Sequence, residues 1–245
     1  MHMEESLYIV IPAYNEADNI RNCVEGWYQV VLDHRGNGKS RLVVVDDGSK
    51  DDTLEILDTL KEDHEYLIVL LKKNGGHGSA VLHGYRHAIN KNTDWVFQTD
   101  SDGQTDPKEF NAFWNRRNEY DAILGNRIER GDGKDRKFVE NTVCFLLWII
   151  FGVKVPDANA PFRLMRTELV RKYIDKLPRD FNVPNIMLTA YFAYFKEKVK
   201  FVPISFQPRR SGENSVNPIK IVRIGIRALF DFVVLRARIN EGIRI

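Results

Sequence analysis

Over its first 126 residues the chain alternates short apolar, β-rich runs with longer amphipathic stretches, and few architectures accept that rhythm. The runs are Leu7–Ile11, Leu42–Val45, Tyr66–Leu71, Trp95–Gln98 and Ala122–Leu124. The stretches between them are Asp18–Leu32, Asp52–Asp63, Ser79–Asn90 and Pro107–Asn118. A strand buried on both faces has no solvent side and so reads as a continuous apolar run. Such runs joined by helices predict an α/β fold with a mostly parallel sheet flanked by helices on both faces. In that arrangement the carboxyl ends of the strands share one edge, where ligands bind near the reversal of strand order. The segments that follow the runs are Pro12-Ala13-Tyr14-Asn15-Glu16, Asp46-Asp47-Gly48-Ser49, Lys73-Asn74-Gly75-Gly76-His77-Gly78 and Asp100-Ser101-Asp102. All are polar or glycine-rich, and the topology brings them together.

Composition excludes the other broad classes. With 245 residues, 43% hydrophobic, 29% charged, 16 Gly and 9 Pro, the chain is neither disordered, collagenous nor a coiled coil. Two cysteines, Cys23 and Cys144, cannot build a disulfide framework, which fits a reducing cytoplasm. The longest uncharged apolar run, Val143 to Val153, is shorter than the roughly 18 residues a membrane span needs. The acidic start, Met1-His2-Met3-Glu4-Glu5, lacks a signal-peptide core. A net charge of +2 gives no reason to expect a nucleic-acid partner. Charge is uneven, however: residues 196–245 carry 11 Lys/Arg against 4 Asp/Glu, which points to an anionic surface or ligand at that end.

After Asn126 the rhythm changes. Arg127, Arg130, Lys134, Arg136 and Lys137 crowd a predicted loop facing the acidic edge, as a solvated charge run or as a site for an anionic acceptor. Phe138–Phe151 reads as a helix apolar all round, hence buried. A short strand at Phe162–Met165, helices near Thr167–Leu177 and Asn185–Phe195, and a strand at Val199–Ile204 follow. The polar loop Gln207–Asn217 contains Arg209-Arg210-Ser211-Gly212, a second basic loop able to close over a diphosphate. In the basic C-terminal helix Lys220, Arg223 and Arg227 share one face beside Ile221, Ile224 and Leu229. That suits a helix on an anionic membrane and equally one packed on the sheet.

Each motif permits a particular chemistry. Two carboxylates at a strand end, Asp100 and Asp102, suit a Mg²⁺ or Mn²⁺ ion bridging to a diphosphate, although Asp102 and Asp106 also suit turn formation and capping. Asp46 and Asp47 can accept from a base N–H or a ribose hydroxyl, with Ser49 capping the next helix. Gly75 and Gly78 can let backbone N–H groups approach a phosphate or ribose. The glycine loop is not a dinucleotide fingerprint, because it follows a later strand and its third glycine position holds Val81. His83 and His87 have zinc-pair spacing but lack the accompanying glutamate.

In this order the segments resemble glycosyltransferase family 2, from Ile11 through Glu16, Val45 through Thr53, Asn74 through Ala80 and Thr99 through Gln104. Looser matches are Gly125-Asn126-Arg127, Asp157 through Arg163 and Arg210-Ser211-Gly212-Glu213. The resemblance implies a GT-A fold, Rossmann-like, of the type that transfers sugars from nucleotide-diphospho-sugars. It places a catalytic domain over 1–217, with a donor half over 1–126 and an acceptor half over 127–217, ahead of the helix at 218–245. It implies that Pro12, Tyr14, Glu16 and Asp46 hold the nucleoside, and that Asp100, Asp102 and Gln104 hold the metal. It also implies that Arg127 and Arg136 face an acceptor phosphate, and that Arg210 meets the diphosphate. Pro161 and Asn214-Ser215 depart from the pattern of polyprenyl-phosphate enzymes, so the acceptor stays open between a lipid phosphate and a saccharide. A saccharide hydroxyl needs a base, and Asp157 is the candidate. A nucleotide-sugar-binding protein without transferase activity is the reading from another class. The expected location is cytoplasmic, peripheral to the membrane if the terminal helix binds it.

Overall fold

The computed structural model describes residues 4–130, 134–208 and 229–237, without the side chains of 129, 130, 134–136 and 138. Seven strands form one mixed sheet: β1 (Leu7–Ala13), β2 (Arg41–Asp46), β3 (Leu67–Leu71), β4 (Trp95–Thr99), β5 (Ala122–Arg130), β6 (Phe162–Arg166) and β7 (Val199–Phe206). Their order across the sheet is β3-β2-β1-β4-β6-β5-β7. Only β6 runs against its neighbours, so β5 and β7 end on the same edge as β1 to β4. The helices are α1 (Ile20–Asp33), α2 (Thr53–Asp63), α3 (His77–Asn90), α4 (Phe110–Trp114), α5 (Lys134–Phe151), α6 (Thr167–Ile174) and α7 (Pro184–Tyr194).

The period-two pleat splits each strand between two cores. In β1, Tyr8 and Val10 join a layer with α3, α6 and α7, whereas Leu7, Ile9 and Ile11 join a layer with α1, α2 and α4. The second layer is built around aromatic rings: Phe162 lies 4.7 Å from Phe97, 4.7 Å from Phe113 and 5.8 Å from Trp27. Residues 229–237 are helical and insert Phe232 and Leu235 into the first layer.

Four local expectations are corrected. The basic segment after Asn126 is mostly regular, because β5 pairs with β7 as far as Arg130↔Phe206, across a register shift between Arg127 and Glu129. The helix expected over Phe138–Phe151 starts at Lys134 and is not buried all round. It buries Leu147 and Phe151 but leaves Phe145, Trp148 and Ile149 about half exposed, at 55%, 47% and 58%. The stretch at Pro107–Asn118 divides into a 3-10 turn at Pro107–Glu109, capped by Asp106 accepting from Lys108 N, followed by α4. Ser49 does not cap α2; Asp52 occupies that position, and Ser49 Oγ bonds Asp46 instead.

Phe162→Ala removes a fully buried ring with three aromatic neighbours. Urea unfolding of this variant should show a loss of about 3–5 kcal/mol.

Candidate active site

The site begins where two strands part. β1 stays paired with β2 as far as Ala13↔Asp46, but its ladder with β4 ends at Val10↔Gln98. This is the reversal of strand order, and Pro12, which has no N–H for a ladder, falls just beyond the split. The turns after β1 and β2 are stitched together. Asn15, in the left-handed region at φ 53°, donates its N–H to Ser49 Oγ (3.0 Å) and accepts from Lys50 N (2.8 Å). Glu16 N donates to Thr53 Oγ1 (2.8 Å), and the buried Glu16 carboxylate accepts from Asn19 Nδ2 (2.8 Å). Tyr14 stands 41% exposed at the mouth.

The two aspartates after β2 do different work. Asp46 is buried and accepts from Gly48 N (3.2 Å), Ser49 N (3.2 Å) and the Ser49 hydroxyl, so it shapes its own turn. Asp47 pairs with Lys72 and accepts from Gly75 N (3.0 Å) and Gly76 N (2.7 Å). The Gly75 amide expected to reach a ligand is therefore satisfied by Asp47, which pins the glycine loop ahead of α3. Gly78 has a packing reason: a Cβ there would collide with the backbone of Phe181 and Asn182.

Asp100 and Asp102 sit together at the end of β4. Asp102 Oδ1 accepts from Gln104 N (3.1 Å), closing the turn. Asp100 Oδ1 accepts from Gln98 Nε2 (3.0 Å) and lies 3.7 Å from His77 Nε2. Burial pushes the Asp100 carboxyl above its ordinary range, with Glu16 adding to the effect, against the opposing pull of His77, Arg127 and the Gln98 bond. Cys23 lies behind this loop, its Sγ 3.8 Å from Asp100 O. Its thiol is pushed up by burial and by the fields of Asp102, Glu16 and Asp100, so three carboxylates from two turns converge on one region. A divalent cation suits this set, because it would relieve the destabilised anion at Asp100 while Asp102 supplies a second oxygen donor. Among the described residues no group of three or more His, Cys, Asp and Glu is placed to hold a metal by itself. Gln104 is buried, with its side-chain nitrogen donating to Gln207 O (2.7 Å), which ties the Asp100–Gln104 turn to the end of β7.

Gln98 and Asn185 escaped the motif search. Buried Gln98 Oε1 accepts from Asn185 Nδ2 (2.8 Å), and Asn185 Oδ1 accepts from Tyr85 OH (3.1 Å), so a polar chain runs from the core to Asp100. The available signal was a lone amide in an otherwise apolar strand.

Arg127 does not project as an isolated surface cation. Its Nε and one terminal nitrogen bind both oxygens of Asp157 (2.7 and 2.8 Å), the same nitrogen reaches Glu140 (3.1 Å), and the guanidinium lies over Phe206 at 5.2 Å. Burial opposes ionisation of Asp157, but the bonds and charge of Arg127 outweigh it and hold the carboxyl below its usual range. Fully buried Arg163 adds a second cation: burial pulls it down, while the fields of Tyr85, Asp157 and Glu140 hold it up. The side chain of Arg136, and Arg210 entirely, lie outside the described residues.

Because the Asp157 pKa is lowered on folding, its stabilising contribution is complete above the unfolded carboxylate pKa and disappears as pH falls through the lower folded value. Asp157→Asn should cost about 3–5 kcal/mol near neutrality. Denaturation of both proteins across pH should show the gap narrowing below about pH 4.

Comparison with known proteins agrees with this geometry. An uncharacterized glycosyltransferase of Synechocystis sp. is 26% identical over 240 residues, covering 97% of this chain and 72% of that protein. The undecaprenyl-phosphate 4-deoxy-4-formamido-L-arabinose transferase of Pectobacterium atrosepticum is 25% identical, covering 90% of this chain and 65% of that enzyme. The chain thus spans about two thirds of the length of such relatives. Among solved structures, glucosyl-3-phosphoglycerate synthase of Mycobacterium tuberculosis, in complex with Mn²⁺, UDP-glucose and glycerol 3-phosphate, superimposes with a TM-score of 0.67 at 17% identity. That match covers 95% of this chain and 80% of that one. Staphylococcus aureus TarS with UDP-GlcNAc gives 0.58 at 20% identity, covering 93% and 66%. These are GT-A-like neighbours, and they show a shared fold. The sequence pattern described as glycosyl transferase family 2 matches residues 8–174, from the start of β1 to the end of α6, and the chain belongs to that family.

Proposed function

We propose that the chain transfers a sugar from a nucleotide-diphospho-sugar to a lipid phosphate, with inversion at the anomeric carbon and with Mg²⁺ or Mn²⁺ at Asp100 and Asp102. The donor half of this reading is supported by family membership and by the carboxylates gathered at the parting of β1 and β4. In it Pro12, Tyr14, Glu16 and Asp46 hold the nucleoside. The cation supplies charge compensation for the departing diphosphate, which is usually a large part of catalysis of this kind. Arg210 adds positive charge on the same group.

The observation that carries the acceptor is the Arg127–Asp157 pair. Asp157, the candidate base, has both oxygens engaged by a guanidinium and a carboxyl held below its usual range, which makes it a weak proton acceptor. A hydroxyl acceptor must lose a proton during attack. A phosphate is already an anion at neutral pH and needs only positioning, the role proposed for Arg136, beside an Arg127 that Asp157 and Glu140 hold in place. The names of the Pectobacterium relatives, which transfer to undecaprenyl phosphate, favour the same acceptor class.

A lipid acceptor requires access to a membrane. No helix among the described residues is long and apolar enough to cross one. Phe145, Trp148 and Ile149 of α5 are exposed, as are Phe230 and Val233 in the adjoining segment 229–237, which contacts α5 through Arg236 Nε to Ile150 O (3.2 Å). Lys154 Nζ lies 5.9 Å from the Trp148 ring. In this reading the two apolar faces rest on the cytoplasmic leaflet with cations at their border.

With radiolabelled donor and Mn²⁺, label should enter an organic-extractable polyprenyl phosphate, and Asp102→Ala should reduce transfer by more than about a hundredfold. Label in a saccharide fraction instead would overturn the acceptor, and unchanged transfer by Asp102→Ala would overturn the metal assignment. Phe145→Glu with Trp148→Glu should lower binding to anionic vesicles at least about tenfold while leaving donor binding intact, measured by flotation and calorimetry.

A further inference from the structure

A cleft of about 440 Å³ runs along α3 beside the edge strand β3, within the size range of small-ligand sites. Its wall carries three cations and two imidazoles: Lys72 from the end of β3, His83, Arg86 and His87 from one stripe of α3, and Arg179 from the segment between α6 and α7. No acidic side chain lines it. Asp175, at the end of α6, acts on Arg86 from outside the cleft.

The charges facing this space are poorly compensated. Lys72 is paired with Asp47, but among the described residues neither Arg86 nor Arg179 makes a hydrogen bond or ion pair. Burial pulls the Arg86 guanidinium below its ordinary value; Asp175 opposes that shift and Arg179 adds to it more weakly. The imidazoles are affected in the same way: His83 is lowered by burial, Lys72 and Arg86, and His87 by burial, Lys91 and His83. His87 Nε2 is buried without a hydrogen-bond partner, although its ring stacks on Tyr8 at 6.0 Å. Ser79 and Asn90 add neutral polar groups at the two ends of the stripe. Three cations held around a common space with two neutral-leaning imidazoles, one of them with an orphaned nitrogen, form a site that an anion would stabilise.

We propose that this cleft is a second ligand site, separate from the donor edge, for a phosphate-bearing anion such as a diphosphate or a phosphomonoester. Two guanidinium groups arriving from different elements offer paired donors to phosphate oxygens, and His83 and His87 complete the cradle. Lys72 links the cleft to the donor edge, because the same ammonium props Asp47 and through it the Gly75–Gly76 loop. The proposal does not depend on the transfer reaction above.

The phosphate can come from a soluble molecule or from a lipid headgroup, and two arms distinguish these sources. In the first, inorganic pyrophosphate is titrated into the metal-free protein while histidine imidazole resonances are followed by NMR. His83 and His87 should shift together, with His77 reporting separately on the donor edge. In Arg86→Ala with Arg179→Ala the affinity should fall about tenfold or more, with the rest of the spectrum unchanged. In the second arm, flotation on phosphatidylcholine vesicles with and without phosphatidic acid is compared for the same two proteins. Pyrophosphate shifts at His83 and His87 that the variant loses support a soluble ligand. Phosphatidic-acid-dependent flotation that the variant loses supports a headgroup. Failure of both arms, shifts confined to His77, or responses that persist in the variant overturn the proposal.

Discussion

The concentration of negative charge where β1 and β4 separate is the constraint around which this molecule is organised. Strand pairing that ends at Val10↔Gln98 opens a crevice, and the turns bordering it bring Glu16, Asp46, Asp47, Asp100 and Asp102 to one edge. Like charges under partial burial repel and are costly to desolvate, so each must find compensation. Asp46 finds it in the amides and hydroxyl of its own turn, and Asp47 in Lys72 and two glycine amides. Asp100 is the member that burial raises despite its neighbours. The protein therefore balances Asp46 and Asp47 internally, whereas the Asp100 carboxyl stays raised by burial.

The opposite balance holds at the ends of β5 and β6. Arg127, Asp157, Glu140 and Arg163 form a buried cluster in which burial and Asp157 push the Glu140 carboxyl up, and Glu140 fastens α5 to it by accepting from Ala158 N (2.7 Å). Breaking such a network is far costlier than making it is favourable, so its value lies in fixing geometry. It fastens the first half of α5 to the sheet, and the exposed aromatic residues Phe145 and Trp148 lie farther along the same helix.

The sheet and the acidic edge were legible in the sequence because both depend on local patterns. Short apolar runs that alternate with amphipathic stretches read as strands covered by helices, and the polar turns after parallel strands share an edge. Less legible was what each polar residue does once there. Gly75 and Asp47 looked alike as ligand contacts, yet they bond to each other. The Arg127–Lys137 segment looked like a solvated loop, but pairing with β7, more than seventy residues away, draws its first part into the sheet. Gln98 and Asn185 are 87 positions apart, and no spacing in the chain announces their bond.

The sequence by itself determined the layered α/β architecture, the position of the carboxylates after their strands and the absence of any run long enough to span a bilayer. Those properties follow from periodicity and from what each side chain can do alone. Tertiary structure decided which charges neutralise one another, which face of α5 stays exposed and where a second set of cations gathers beside α3. Such outcomes depend on distances between residues far apart in the chain, and pairing energy between charges changes steeply with separation and burial.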